Sequence, residues 1–277
     1  LYIIIRISHS FKKKDDIWRA KRVIKRYFNI DIDVEFKYEV FLAEYYFYKI
    51  LLKINNPQKV ILVCSYGRES LIKACRDMNI ATYEVQHGAI TKNHLGYHYP
   101  FSLKKQLVPE FFLIYGEYWK TSVEYSRAIK NFKVIGNNYL YEQVKNRKMK
   151  KEKIILVLSQ RTISNKIKMF VHDMSKYLPD DIKIAIKPHP GEIDTYEYEY
   201  KDENIYVIKS RYVNIYDLMA KSEWVCGVYS TAIFESIAFS CKVIILKING
   251  WEDLYALVEK GDAVLLDRPE EIVSVIN

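Results

Sequence analysis

Between residues 154 and 267, six short runs rich in Val, Ile and Leu (IILVLS, IKIAIK, IYVI, EWVCGV, KVIILK and AVLLD) alternate with helix-length amphipathic stretches. Runs this short and this continuously apolar read as strands buried on both faces. Strands that alternate with helices build parallel sheets through βαβ crossovers. The first half repeats the pattern with KVILVC (59–64), ATYEVQ (81–86), FFLIYG (111–116) and FKVIG (132–136). Helices are expected over 36–54, 67–79 and 117–129, then over 165–177, 214–221, 231–240 and 251–259, with a last one from Pro269. KNRKMKKEK (145–153) has no apolar period and reads as an exposed linker. The expectation is an α/β chain of two Rossmann-like domains facing a central cleft, 1–148 and 149–277. The first domain has few strands before residue 59 and the chain opens on Leu, so a truncated N-terminus is expected.

Composition narrows the class. Hydrophobic residues make up 49% and charged residues 28% of 277 residues, with 9 Gly and 7 Pro, a globular balance without long flexible linkers. Four scattered cysteines form no CxxC pair and suit a reducing, cytoplasmic setting. The net charge of +9 points to anionic partners: substrate phosphates or the inner face of an anionic membrane. No zinc-finger spacing, RRM signature or basic-region heptad supports nucleic acid. No P-loop, GxGxxG, GxSxG or HExxH appears, which removes the common NTPase, dinucleotide, hydrolase and zincin readings.

In parallel folds ligands bind outside the carboxyl ends of the strands. GVYSTAIFES (227–236) puts Ser230 and Thr231 where a strand gives way to a helix, and free N–H groups there favour a phosphate. Glu235, one turn on, could accept bonds from ribose hydroxyls; the plainer alternative is a helix cap and a solvated carboxylate. KPHPGE (187–192) ends another strand, with Lys187, His189 and Pro190 at a stiff turn. His189 could bond a phosphate or protonate a leaving oxygen, or simply shape the turn. LSQRT adds Gln160 and Arg161 after the first strand of the second half. In the first half, QHG places Gln86, His87 and Gly88 past a strand, followed by His94 and His98. Their spacings of seven and four match no zinc pattern, so no metal is expected. His87 is the candidate general base, and YGEYW adds Glu117 at another strand end. Gln86, Gly88 and His94 would line the acceptor side. IGNNY (135–139) marks the crossing between the halves.

With these motifs in order, the chain resembles GT-B glycosyltransferases of bacterial surface-polysaccharide synthesis, capsule and O-antigen. KPHPGE is similar to the His-Pro motif of sialyltransferases, polysialyltransferases and Kdo-transferase-like enzymes. VYSTAIFES is similar to the Ser/Thr motif that follows it there. The resemblance implies a CMP-activated sugar as donor, held at phosphate and ribose by the two motifs. It implies no metal or cofactor, and a glycan or lipid-linked acceptor met at the cytoplasmic membrane face. The chain lacks the acidic Asp/Glu-Asp/Glu-Gly triplet of sialyltransferases, which leaves His87, Glu84 or Glu117 as base. Nucleotide-sugar 2-epimerases share the fold, and glycerophosphate transferases carry related His-Pro motifs; a non-catalytic sugar-nucleotide binder is the remaining alternative.

Overall fold

The computed structural model describes residues 14–98, 107–126, 129, 131–197 and 203–276, with no account of side chains 14 and 15. The chain divides into two compact units, 1–136 and 137–277.

The first unit opens with two helices, α1 (Lys14–Phe28) and α2 (Val34–Asn55). Asp33 starts α2 by accepting the Phe36 N–H at 2.9 Å, and Asn56 ends it in the left-handed region. Then come β1 (Lys59–Leu62), α3 (Glu69–Asp77), β2 (Ala81–Val85), β3 (Phe111–Ile114) and β4 (Asn131–Val134). The four strands pair in parallel in their chain order. Leu52 of α2 packs with Ala74 and Cys75 of α3, while Phe112 and Ile114 of β3 form a second small core with Ile90, Tyr97 and Val123.

The helix expected over 117–129 is replaced by one 3₁₀ turn, Glu117–Lys120, and irregular chain through residue 126. The cause is local competition for one carbonyl. Ser122 Oγ and Tyr125 Oη both donate to the Trp119 carbonyl, at 3.1 and 2.6 Å, which would otherwise accept a helical N–H.

The second unit begins with α4 (Asn138–Lys145), capped by Asn137, which accepts the Leu140 N–H at 3.1 Å. The units therefore meet within IGNNY, at Gly136, and not at residue 148. Helix α4 packs on helices of the second unit, so it belongs there, ahead of the basic stretch. β5 (Glu152–Leu158), α5 (Ser164–Ser175), β6 (Lys183–Lys187), β7 (Ile205–Val207), α6 (Ile215–Lys221), β8 (Ser222–Gly227) and α7 (Thr231–Ala238) follow. β9 (Lys242–Leu246), α8 (Tyr255–Glu259), β10 (Ala263–Leu266) and α9 (Ile272–Ile276) complete it. The helix expected over 251–259 is a 3₁₀ turn, Trp251–Leu254, running into α8.

All six strands are parallel, in the order β10-β9-β8-β5-β6-β7. Strand parity divides the core between the two faces of the sheet, as alternation requires. Ile155 and Val157 of β5 join Ile184, Ile186, Ile244 and Leu246 on one face. Ile154, Leu156 and Leu158 join Ala185, Val243 and Ile245 on the other. Burial on both faces is why these strands read as unbroken apolar runs.

Candidate functional site

Counted from β5, the second sheet runs 6-5-4-1-2-3, the strand order of dinucleotide-binding folds. Its direction reverses between β5 and β8, and ligands bind outside the carboxyl ends at such a reversal. LSQRT and GVYST follow those two strands. Gln160 spans the reversal: its Oε1 accepts the Tyr229 N–H at 3.1 Å. Thr162 Oγ1 and Tyr229 Oη are hydrogen-bonded at 2.5 Å, so Tyr229 is held at both ends. Gln160 thus acts on the backbone, and its carbonyl oxygen is already engaged.

Ser230 is the N-cap of α7, accepting the Ala232 N–H at 3.3 Å, and Thr231 is exposed in the first turn. Capping and anion binding coexist here, because the hydroxyl satisfies one of several amides that face out of a helix start. Glu235 does not face water. It is half-buried and accepts a hydrogen bond from Tyr216, and burial raises its pKa despite that bond.

β6 lies next to β5 and delivers KPHPGE to the same edge. The His189 N–H donates to the buried Glu192 carboxylate at 2.9 Å, and the Glu192 N–H returns a bond to the His189 carbonyl at 2.8 Å. The Gly191 N–H donates to His189 Nδ1 at 3.1 Å. With Nδ1 an acceptor, the ring's proton sits on Nε2, so the exposed imidazole presents a donor. A Cβ on Gly191 would lie 3.3 Å from His189 Nδ1 and 3.9 Å from Arg161 Cδ, which puts the Arg161 side chain beside this turn. Pro190 is exposed at its tip. Lys187 turns away: its Nζ donates to the carbonyls of Ser210 at 2.7 Å and Ile208 at 3.5 Å, and burial lowers its pKa. The expected phosphate cation on β6 is thus committed to the loop after β7, and Arg161 is the cation beside His189.

The first unit holds a second constellation at the end of β2. Glu84 is 1% exposed and accepts bonds from the Ser65 N–H, at 3.0 Å, and the buried Tyr97 hydroxyl. His87 is exposed, its ring 6.4 Å from Tyr66 and 6.3 Å from Tyr97. His94 stacks obliquely on Tyr97 at 4.6 Å, and its Nδ1 accepts the Gly96 N–H. Gln86 does not line an open surface. It is 1% exposed, donates to the Gly88 carbonyl at 2.8 Å and accepts the Tyr115 N–H at 2.9 Å, tying β2 to β3. Glu117 is exposed and loosely paired with Lys120 at 3.9 Å. Among the described residues, no group of three His, Cys, Asp or Glu is placed to hold a metal ion.

Burial, outweighing the bonds from Ser65 and Tyr97 and the charge of His87, raises the Glu84 pKa above its ordinary 4.5. The folded state then keeps this proton longer than the unfolded chain, so stability falls as pH rises from about 4.5 through the folded value. Glu84→Gln should flatten that limb in urea midpoints measured from about pH 4 upward. Parallel curves for the two proteins would contradict the assignment.

Sequence reasoning passed over Glu192, Tyr229 and Gly250. Glu192 had a signal, an acid closing the turn KPHPGE; Tyr229 and Gly250 become visible only when the loops after β8 and β9 are brought together.

Two parallel-sheet units, the second with a strand reversal beside a helix start, give the chain an α/β, GT-B-like fold of two Rossmann-like units. No protein-family model matches the sequence, and no curated protein matches it significantly. Solved structures do match. UDP-GlcNAc 2-epimerase from Methanocaldococcus jannaschii, in complex with UDP-GlcNAc and UDP, has 14% identity over 86% of this chain and 73% of its own, with a TM-score of 0.53. MurG from Acinetobacter baumannii has 12% identity over 91% and 73%, with a TM-score of 0.57. Spinosyn rhamnosyltransferase SpnG, complexed with thymidine diphosphate, has 10% identity over 86% and 70%, with a TM-score of 0.55. At these identities the likeness is one of fold. Among the described residues, no helix is long and apolar enough to cross a membrane.

Proposed function

We propose that this chain is a glycosyltransferase that moves a sugar from a nucleotide-activated donor to a glycan or lipid-linked acceptor without a metal. The observation that carries the proposal is the β5/β8 reversal, where an anion-ready helix start, the His189 donor and Arg161 come from three adjacent loops. Structural neighbours that bind UDP-GlcNAc, UDP and thymidine diphosphate support a sugar nucleotide as ligand. The His-Pro and Ser/Thr motifs favour a CMP-linked sialic acid or Kdo-like donor.

In this reading the donor phosphate rests on the first-turn amides of α7 and on Ser230 and Thr231. Arg161 offsets its charge, and His189 Nε2–H donates to the phosphoryl oxygen that gains charge as the glycosidic bond breaks. Glu235 reaches the ribose by exchanging its Tyr216 bond for a hydroxyl. For the base, His87 is the proposed residue: it is exposed past the end of β2, in the first unit's own constellation. Those residues supply the required charge themselves, so the chemistry needs no bound cation.

A second reading, a UDP-sugar 2-epimerase, is favoured by the epimerases among the neighbours. The test is a thermal-shift series with CMP, CDP, UDP and GDP, followed by turnover of the matching donor with and without acceptor. A nucleotide at about 100 times its Kd should add about 2.7 kcal/mol to stability, and Ser230→Ala should reduce that gain. Turnover of a UDP-sugar alone would select the epimerase. If no nucleotide shifts the protein, the donor site is wrong.

A further inference from the structure

Helix α1 carries six Lys or Arg and two Asp in 15 residues. Its half-buried residues Ile17, Ala20 and Ile24 recur at i, i+3 and i+7, the seam by which it packs on α2. Another face presents Trp18, Lys21, Arg22 and Lys25, again at i, i+3, i+4 and i+7. All four are exposed, and the Arg22 guanidinium lies 4.4 Å from the centre of the Trp18 ring. Tyr27 and Phe28 are exposed at the end of the helix. The last two turns of α2 repeat the spacing with Phe47, Ile50, Leu51 and Ile54. Every one of these is exposed, Ile54 by 75%, beside the exposed Lys53.

A ridge of four large apolar side chains is unusual on a surface that meets only water. The charge carried by the same pair of packed helices selects the partner. A twofold contact between two copies made through this helix pair would bring six Lys or Arg of α1 near the same six of the other copy, which opposes association. An anionic lipid surface complements it: Lys and Arg meet headgroups, Trp sits at the interface, and aliphatic tips enter the acyl boundary. We propose that α1 and the C-terminal half of α2 dock this chain on an anionic phospholipid membrane. The proposal uses residues of the first unit only and does not rest on the donor-site reading.

Cosedimentation of the full chain with vesicles tests it. Vesicles of phosphatidylcholine and phosphatidylglycerol should retain the protein, vesicles of phosphatidylcholine alone should not, and salt should weaken retention. Replacing Lys21, Arg22 and Lys25 together by Ala should lower the partition coefficient about 10²-fold, at roughly fivefold per charge. Ile50→Ser with Ile54→Ser keeps every charge and should lower it by about tenfold or more. Circular dichroism and the urea midpoint establish that both variants are folded. Equal retention by neutral and anionic vesicles would overturn the proposal, as would a triple variant that binds like the parent. So would light scattering that shows a dimer dispersed by Ile54→Arg, which would assign the ridge to a second copy.

Discussion

Under the proposed function, His189→Ala is expected to lower the rate of sugar transfer by about 10²- to 10³-fold while leaving the fold intact, the range for a lost positioned donor. The side chain does two separable things. Nδ1 accepts the Gly191 N–H and so closes the turn; Nε2–H points outward as the donor. The backbone of the turn keeps its own support, because the buried Glu192 carboxylate accepts the His189 N–H whatever the side chain is. Two further variants divide the roles. His189→Asn places a carbonyl oxygen near Nδ1 and can restore the turn, but it offers nothing where Nε2 was. His189→Gln extends an amide N–H toward the Nε2 position. If the imidazole only binds the phosphate, Gln should recover much of the rate and Asn should resemble Ala. If instead an imidazolium delivers its Nε2 proton to the leaving oxygen, which requires Nδ1 to give up the Gly191 bond and take a proton first, all three should stay low in kcat, with Gln keeping donor KM. Single-turnover rates and donor KM read this out. A His189→Ala enzyme within about threefold of the parent would remove His189 from the chemistry.

The second unit is easier to read from sequence than the first, and the reason is burial. Its strands are covered on both faces, so Ile154–Leu158 and Val243–Leu246 form unbroken apolar runs bounded by turn residues. In the first unit β1 and β4 are four residues each with exposed members, and the signal is correspondingly thin. The 117–129 stretch has helical apolar spacing but loses the helix to two side-chain bonds on Trp119, a competition that spacing does not encode. The same divide applies at the site. Parallel βα units send every strand's carboxyl end to one edge, so sequence position alone puts the loops holding Gln160, His189 and Ser230 on that edge. Side-chain direction within those loops is not set by position. Lys187 turns to the carbonyls after β7, Gln86 and Glu84 turn inward, and Glu235 meets Tyr216. Each depends on a neighbour far away in the chain. The order of strands in the sheet, and hence the place of the reversal, has the same long-range origin.

Gly250→Ala should be the most destabilising small substitution in the second unit, at about 2–5 kcal/mol, from two separate causes. Gly250 sits at φ 102°, a left-handed conformation that side chains resist, and an added Cβ would lie 2.5 Å from Tyr229 Cδ1 and 2.7 Å from its Cε1. The ring cannot simply swing aside, since its hydroxyl is bonded to Thr162 and its backbone N–H to Gln160. The clash therefore pushes on the β5/β8 reversal itself. A double-mutant cycle separates the causes. With Tyr229→Ala as background the ring is gone, and Gly250→Ala should cost only the backbone part, about 1–2 kcal/mol, so the two changes should be strongly non-additive. Urea midpoints at constant m-value measure each corner of the cycle. Full additivity would mean that Gly250 is required by its backbone alone and that Tyr229 is not pinned. With coupling, nucleotide affinity should fall in Gly250→Ala even where the protein remains folded. The loop that moves Tyr229 also carries Ser230 to the start of α7, so a substitution in the loop after β9 would reach the proposed phosphate site through one wedged ring.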